Sequence, residues 1–157
     1  MKINKDKFYD FLIKLFNELH QSATFYLTSK DEREHNIDLY SLKHKTAVLF
    51  RVEESENEES SVFNNLMKNL KSILENIKFS ELEIDKYYIL STYKDDDLIF
   101  EYIQLLKTDN KYPFEIEFWG WDTISGYLKN YEYLLPKTES KTDKLAINAG
   151  GSMTTYL

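Results

Sequence analysis

The sequence predicts a single α/β domain, and three patterns carry that expectation. Apolar residues recur at helical spacing in separated stretches, short β-prone runs lie between them, and one nearly continuous apolar run leads straight into a helix start. A chain of 157 residues falls within the range of one domain, and 42% apolar content is enough for one buried core. Aromatic residues make up 15% of the chain. The twelve tyrosines among them carry hydroxyls that need water or a partner when buried, which predicts a half-buried sheet.

Each element has its own signal. Phe8, Phe11, Leu12, Leu15, Phe16 and Leu19 repeat at three and four residues, predicting a helix over about residues 4–20. TFYLT (24–28) is β-prone, KDEREH reads as a charged turn, and NIDLYSL and TAVLFRVE follow as two further strands of a meander. Val62, Leu66, Leu70, Ile73, Leu74 and Ile77 return to helical spacing, with Ser60 or Ser61 as the cap, and form a crossover helix. YYILSTY (87–93) has the continuous apolar character of a strand buried on both faces, and a helix capped near Asp95 follows it. FEIEFW (114–119) alternates as a strand. Asp122 is then the expected N-cap of a last helix whose apolar face holds Ile124, Tyr127, Leu128, Tyr131 and Leu135 and which stops at Pro136. The expected order is αβββαβαβα over residues 1–135, with residues 136–157 as a flexible tail or linker.

Composition narrows the function. The chain has no cysteine, which removes disulfides and thiolate metal sites and suits a reducing cytoplasm. No apolar stretch is long enough to span a membrane, and the amphipathic start carries an early Asp that a signal peptide would not, so a membrane partner is excluded and the expected location is cytoplasmic. A net charge of −7 opposes general nucleic-acid affinity, and the acidic runs EESENEE and DDD (95–97) would repel phosphate, so DNA binding by the chain alone is expected to be weak. His20, His35 and His44 lack metal-binding spacing, and neither His35 nor His44 has a recognisable partner at nucleophile-and-base spacing. Gly150 and Gly151 lack the context of a phosphate loop. In WGWD (119–122), Gly120 permits a sharp change of direction, and the two indoles are expected to leave opposite sides of the turn and to serve packing.

One segment carries chemistry. In NIDLYSLKHKTAVLFRVEES, Asp38 lies between Ile37 and Leu39, whose side chains should enter the core while Asp38 points to a cleft. Alternation puts Leu49, Arg51 and Glu53 on one strand face and Val48, Phe50 and Val52 on the other. With the helix, meander, crossover helix and strand around it, this segment resembles the PD-(D/E)XK superfamily of restriction-endonuclease-like domains, in its Mrr-type form. The resemblance covers roughly residues 5–135 and implies a mixed sheet flanked by helices. Asp38 matches the first acidic position; Arg51 stands where the pattern has an acid or glutamine, and Glu53 where it has lysine. In such a site two carboxylates hold a divalent cation and the lysine helps activate water.

The resemblance therefore implies degenerate catalytic positions at Asp38, Arg51 and Glu53, with Asp38, Glu53 and Glu18 as the metal ligands and Mg2+ as the cofactor. In a second register Glu53 is the acid and Ser55 replaces lysine. A same-face ion pair is the structural reading of Arg51 and Glu53. The expected function is a catalytically impaired recognition or assembly module of a prokaryotic defence or restriction system, with a protein partner or a second copy of itself. The alternative is a metal-dependent DNA endonuclease using Asp38 and Glu53.

Overall fold

The N-terminal apolar stripe forms helix α1 (Lys5–Leu19), opened by Asn4, whose side chain accepts the Lys7 N–H at 3.2 Å. In this computed structural model, which describes residues 3–53 and 59–135, the stripe residues from Phe8 to Phe16 are buried. Strands β1 (Tyr26–Leu27), β2 (Leu39–Ser41) and β3 (Thr46–Arg51) make the antiparallel meander. KDEREH is not a turn: helix α2 (Lys30–Glu34) occupies it, capped by Ser29, whose hydroxyl accepts the Glu32 N–H.

Helix α3 (Glu59–Asn76) crosses over and delivers β4 (Lys86–Ser91) parallel to β3, with Val48 opposite Tyr88 and Phe50 opposite Leu90. Ser60 and Ser61 stand inside its first turn, so neither is its cap. Helix α4 (Asp97–Thr108), capped by the Asp96 carboxylate, returns the chain to β5 (Glu115–Trp119), which lies parallel to β4. Helix α5 (Trp121–Asn130) follows. The result is a mixed five-stranded sheet in the order β1–β2–β3–β4–β5, flanked by helices.

Both sheet faces are covered, which replaces the expected half-buried sheet. On one face α1 and α5 pack Phe8, Phe16, Ile124 and Leu128 against Leu39, Val48, Phe50 and Leu90. On the other, α3 and α4 set Leu66, Leu70, Ile99 and Ile103 against Ala47, Leu49, Tyr87 and Ile89. Val48 and Phe50 face one layer and Leu49 the other, as predicted for β3, because residues one apart on a strand point to opposite faces, but the strand ends at Arg51 and Glu53 lies beyond it. Two buried tyrosines find backbone acceptors: Tyr40 donates to Glu83 O and Tyr87 to Asn36 O, each at 2.6 Å.

WGWD fastens the ends of β4 and β5 together. The Trp121 N–H donates to Tyr93 O at 2.6 Å, the Asp95 N–H to Asp122 Oδ2 at 2.9 Å, and the Thr123 hydroxyl to Asp95 Oδ2 at 2.7 Å. Gly120 is the N-cap residue, and Asp122 sits in the first helical turn, where its carboxylate serves the neighbouring loop. A Cβ at Gly120 would come within 2.5 Å of the Asp95 nitrogen, so space, not backbone torsion, demands glycine. Both indoles enter the α1/α5 layer, where Trp119 stacks on Phe16 and on Tyr127, instead of leaving opposite sides of the turn.

No helix among the described residues is long and apolar enough to cross a membrane. The expected tail over 136–157 and residues 54–58 of the acidic run at 53–59 lie outside the described residues.

Candidate functional site

Asp38 immediately precedes β2 and is 5% exposed. Its N–H donates to Val48 O at 2.8 Å although β2 pairs Leu39 with Val48, so the ladder slips by one residue here. Alternation breaks with it. Ile37 and Leu39 both enter the core, but Ile37 packs in the α3/α4 layer and Leu39 in the α1/α5 layer.

Beyond Val48, β3 runs on past the end of β2. Asp38 Oδ2 accepts the Phe50 N–H at 2.8 Å and so takes the place of the strand carbonyl that β2 no longer supplies. Tyr9, from α1, hydrogen-bonds to the same carboxylate. Burial pushes the Asp38 carboxyl above its ordinary range, against the pull of the Phe50 N–H, Lys5, Tyr9 and Arg33. Burial, with the nearby Asp38 charge, also holds the Tyr9 phenol well above its ordinary value.

Asp38 borders a cleft of about 270 Å3 together with Lys5, Arg33, Asn36 and Arg51. Leu49, Phe50 and Val52 supply its β3 wall. Lys5 comes from the first turn of α1 and Arg33 from α2, where one guanidinium nitrogen donates to Thr28 O. Arg51 ends β3 and pairs through Nε with Glu53 Oε1 at 3.2 Å. The Glu53 N–H is held by Thr92 Oγ1 at 2.7 Å.

Asp38 and Arg51 therefore share one cleft, with Glu53 attached to it through Arg51. Glu18 is elsewhere: it accepts a hydrogen bond from Tyr133 at 3.2 Å and borders a separate cleft of about 500 Å3 with Lys14 and Ser22. This donor set does not suit Mg2+. A hard cation needs several oxygen ligands at one point. Here one carboxylate already accepts two hydrogen bonds among three cationic side chains, the second is paired with arginine, and the third lies in another cleft.

Three features escaped the sequence reading. Lys5 and Arg33 carried no motif, because only the fold brings α1 and α2 to the end of β3. His44 Nε2 lies 3.1 Å from Ser22 Oγ, so it does have a hydroxyl partner. That hydroxyl continues to Thr24 and on to Ser41, a relay that ties the hairpin to the end of α1. Asp31, Glu32 and His35 bring donor atoms within 4.8 Å of one another, a spacing that appears only once KDERE is helical. Glu32 in this group already accepts the Ser80 hydroxyl at 2.6 Å.

No family model, curated protein or solved structure matches the chain.

Proposed function

We propose that this is a catalytically impaired nuclease-fold module that recognises or assembles with a partner, another protein or a second copy of itself, in a prokaryotic defence or restriction system. The order of helix, antiparallel meander, crossover helix and parallel strand supports the restriction-endonuclease-like reading. One observation carries the loss of catalysis. Asp38 Oδ2 already accepts the Phe50 N–H, and the position where the resemblance expects lysine holds Glu53, paired to Arg51. A carboxylate there opposes the charge that hydrolysis of a phosphodiester requires beside the attacked phosphorus.

The test is a cleavage assay of duplex DNA with Mg2+ or Mn2+, comparing the wild type with Asp38→Ala. The module predicts no cleavage by either protein. Efficient wild-type cleavage that vanishes in the alanine variant would establish the endonuclease alternative. Introducing Glu53→Lys with Arg51→Glu restores the conventional charge order, and cleavage by that variant is expected only where the rest of the cleft is competent to hold the metal ion.

A further inference from the structure

We infer that the cleft between α1, α2 and the end of β3 binds a phosphate monoester, held directly by Lys5, Arg33 and Arg51 with no bridging metal ion. This rests on the non-catalytic reading of the same site and names what the site holds.

The first support is charge. In a chain of net charge −7, three cationic side chains from three elements converge on one cleft. Asp38 and Glu53 balance two of these charges and leave one cation in excess, and Asp38 is relieved further by hydrogen bonds from Phe50 and Tyr9. The second support is preorganisation. Arg33 is anchored on Thr28 O and Arg51 on Glu53, the latter through Nε. A guanidinium has five N–H donors in a fixed fork, so one anchoring bond orients it and leaves capacity for bidentate contact with phosphate oxygens.

The third support is position. β3, β4 and β5 run parallel, and Leu49, Phe50, Arg51 and Val52 line the cleft at the carboxyl end of β3. Ligands of open α/β sheets bind outside the carboxyl ends of strands where strand order reverses; this sheet has no such reversal, and the cleft shares only the carboxyl-end position. A volume of about 270 Å3 lies just below the range of about 300–1,000 Å3 typical of drug-sized ligands, which suits a phosphate and part of its sugar. A monoester presents three non-bridging oxygens to the two guanidinium forks and the ammonium, one more than a diester offers. The source is either a mononucleotide or the terminal phosphate of a nucleic-acid strand.

The experiment is a titration of the full chain, in EDTA and at low salt, followed by amide resonances in two-dimensional NMR. The probes are inorganic phosphate, thymidine 5′-monophosphate, and a short single-stranded oligonucleotide with a 5′-phosphate or a 5′-hydroxyl. Saturable shifts of Asn36, Phe50, Arg51 and Val52 are expected with every phosphate-bearing probe. The 5′-hydroxyl strand should bind at least about tenfold more weakly than its phosphorylated form. Lys5→Gln, at an exposed position, and Arg51→Gln should each weaken binding about tenfold, the loss expected for removing one charge-assisted contact. Asp38→Asn should bind as well as or better than the wild type.

Absence of saturable shifts, shifts that appear only with Mg2+, or loss of binding in Asp38→Asn would overturn the inference. Equal affinity for the mononucleotide and the phosphorylated strand assigns a free monoester, and tighter strand binding assigns a strand end. Hydrolysis of the strand once Mg2+ is added would defeat the non-catalytic reading and leave metal-free binding standing, so the two failures are distinct.

Discussion

Asp38 serves the sheet before it serves any ligand. Its carboxylate satisfies a main-chain N–H that the end of β2 leaves without a strand partner. Asp38→Ala should therefore cost about 1–3 kcal/mol, the penalty for orphaning a buried donor. Asp38→Asn keeps an acceptor for the Phe50 N–H and removes a desolvated charge, so it should retain wild-type stability or exceed it. Urea denaturation of the three proteins checks both expectations, and equal losses for Ala and Asn would contradict the capping role.

The pH dependence follows from the same group. Its folded pKa lies above the unfolded value of 3.8, so within that window the folded state binds more protons than the unfolded one. The Asp38 contribution is then most favourable below 3.8 and is lost as pH rises through the folded value. Asp38→Asn does not titrate, so its stability advantage over the wild type should widen from acid to neutral pH. A constant gap would mean that burial does not raise the carboxyl.

At the scale of elements, what the sequence revealed depended on periodicity. The stripes of α1, α3 and α5 repeat at helical spacing, and β4 is buried on both faces, so their patterns survive in sequence. Helix α2 has no buried residue and hence no stripe, and its capping serine was the one signal it offered. The clasp at WGWD was hidden for another reason: the bonds that define it join residues 27 and 28 positions apart.

Two substitutions probe these elements. Gly120→Ala forces a methyl against the backbone of Lys94 and Asp95 and should destabilise by at least about 1–3 kcal/mol, as overpacking does. Leu70→Ala empties a fully buried position in α3 and should cost about 2–5 kcal/mol. Thermal or urea unfolding measures both, and a near-neutral Gly120→Ala would show that the clasp yields easily.

Across the whole molecule, the acidic surface and the cationic cleft set the scale of interactions. Net negative charge repels extended duplexes, while the cleft attracts phosphate only locally, so any DNA binding should be weak and should weaken further as salt rises. Strand alternation held along β3 up to Arg51 but failed at Asp38, where the ladder slips and Ile37 and Leu39 enter opposite layers. Their cleft could not be read the same way, since Lys5 and Arg33 arrive from separate helices and charges carry no period that marks their meeting point.

The central claim is that Asp38 caps a strand and does not hold a catalytic cation. Paramagnetic Mn2+ tests it most directly, because a bound ion selectively broadens the amide resonances around it. With the wild type and Asp38→Asn titrated at substoichiometric Mn2+, the signals of residues 49–52 should show no selective broadening in either protein. Strong broadening of Phe50 and Arg51 in the wild type that disappears in Asp38→Asn would contradict the account and restore Asp38 as a metal ligand.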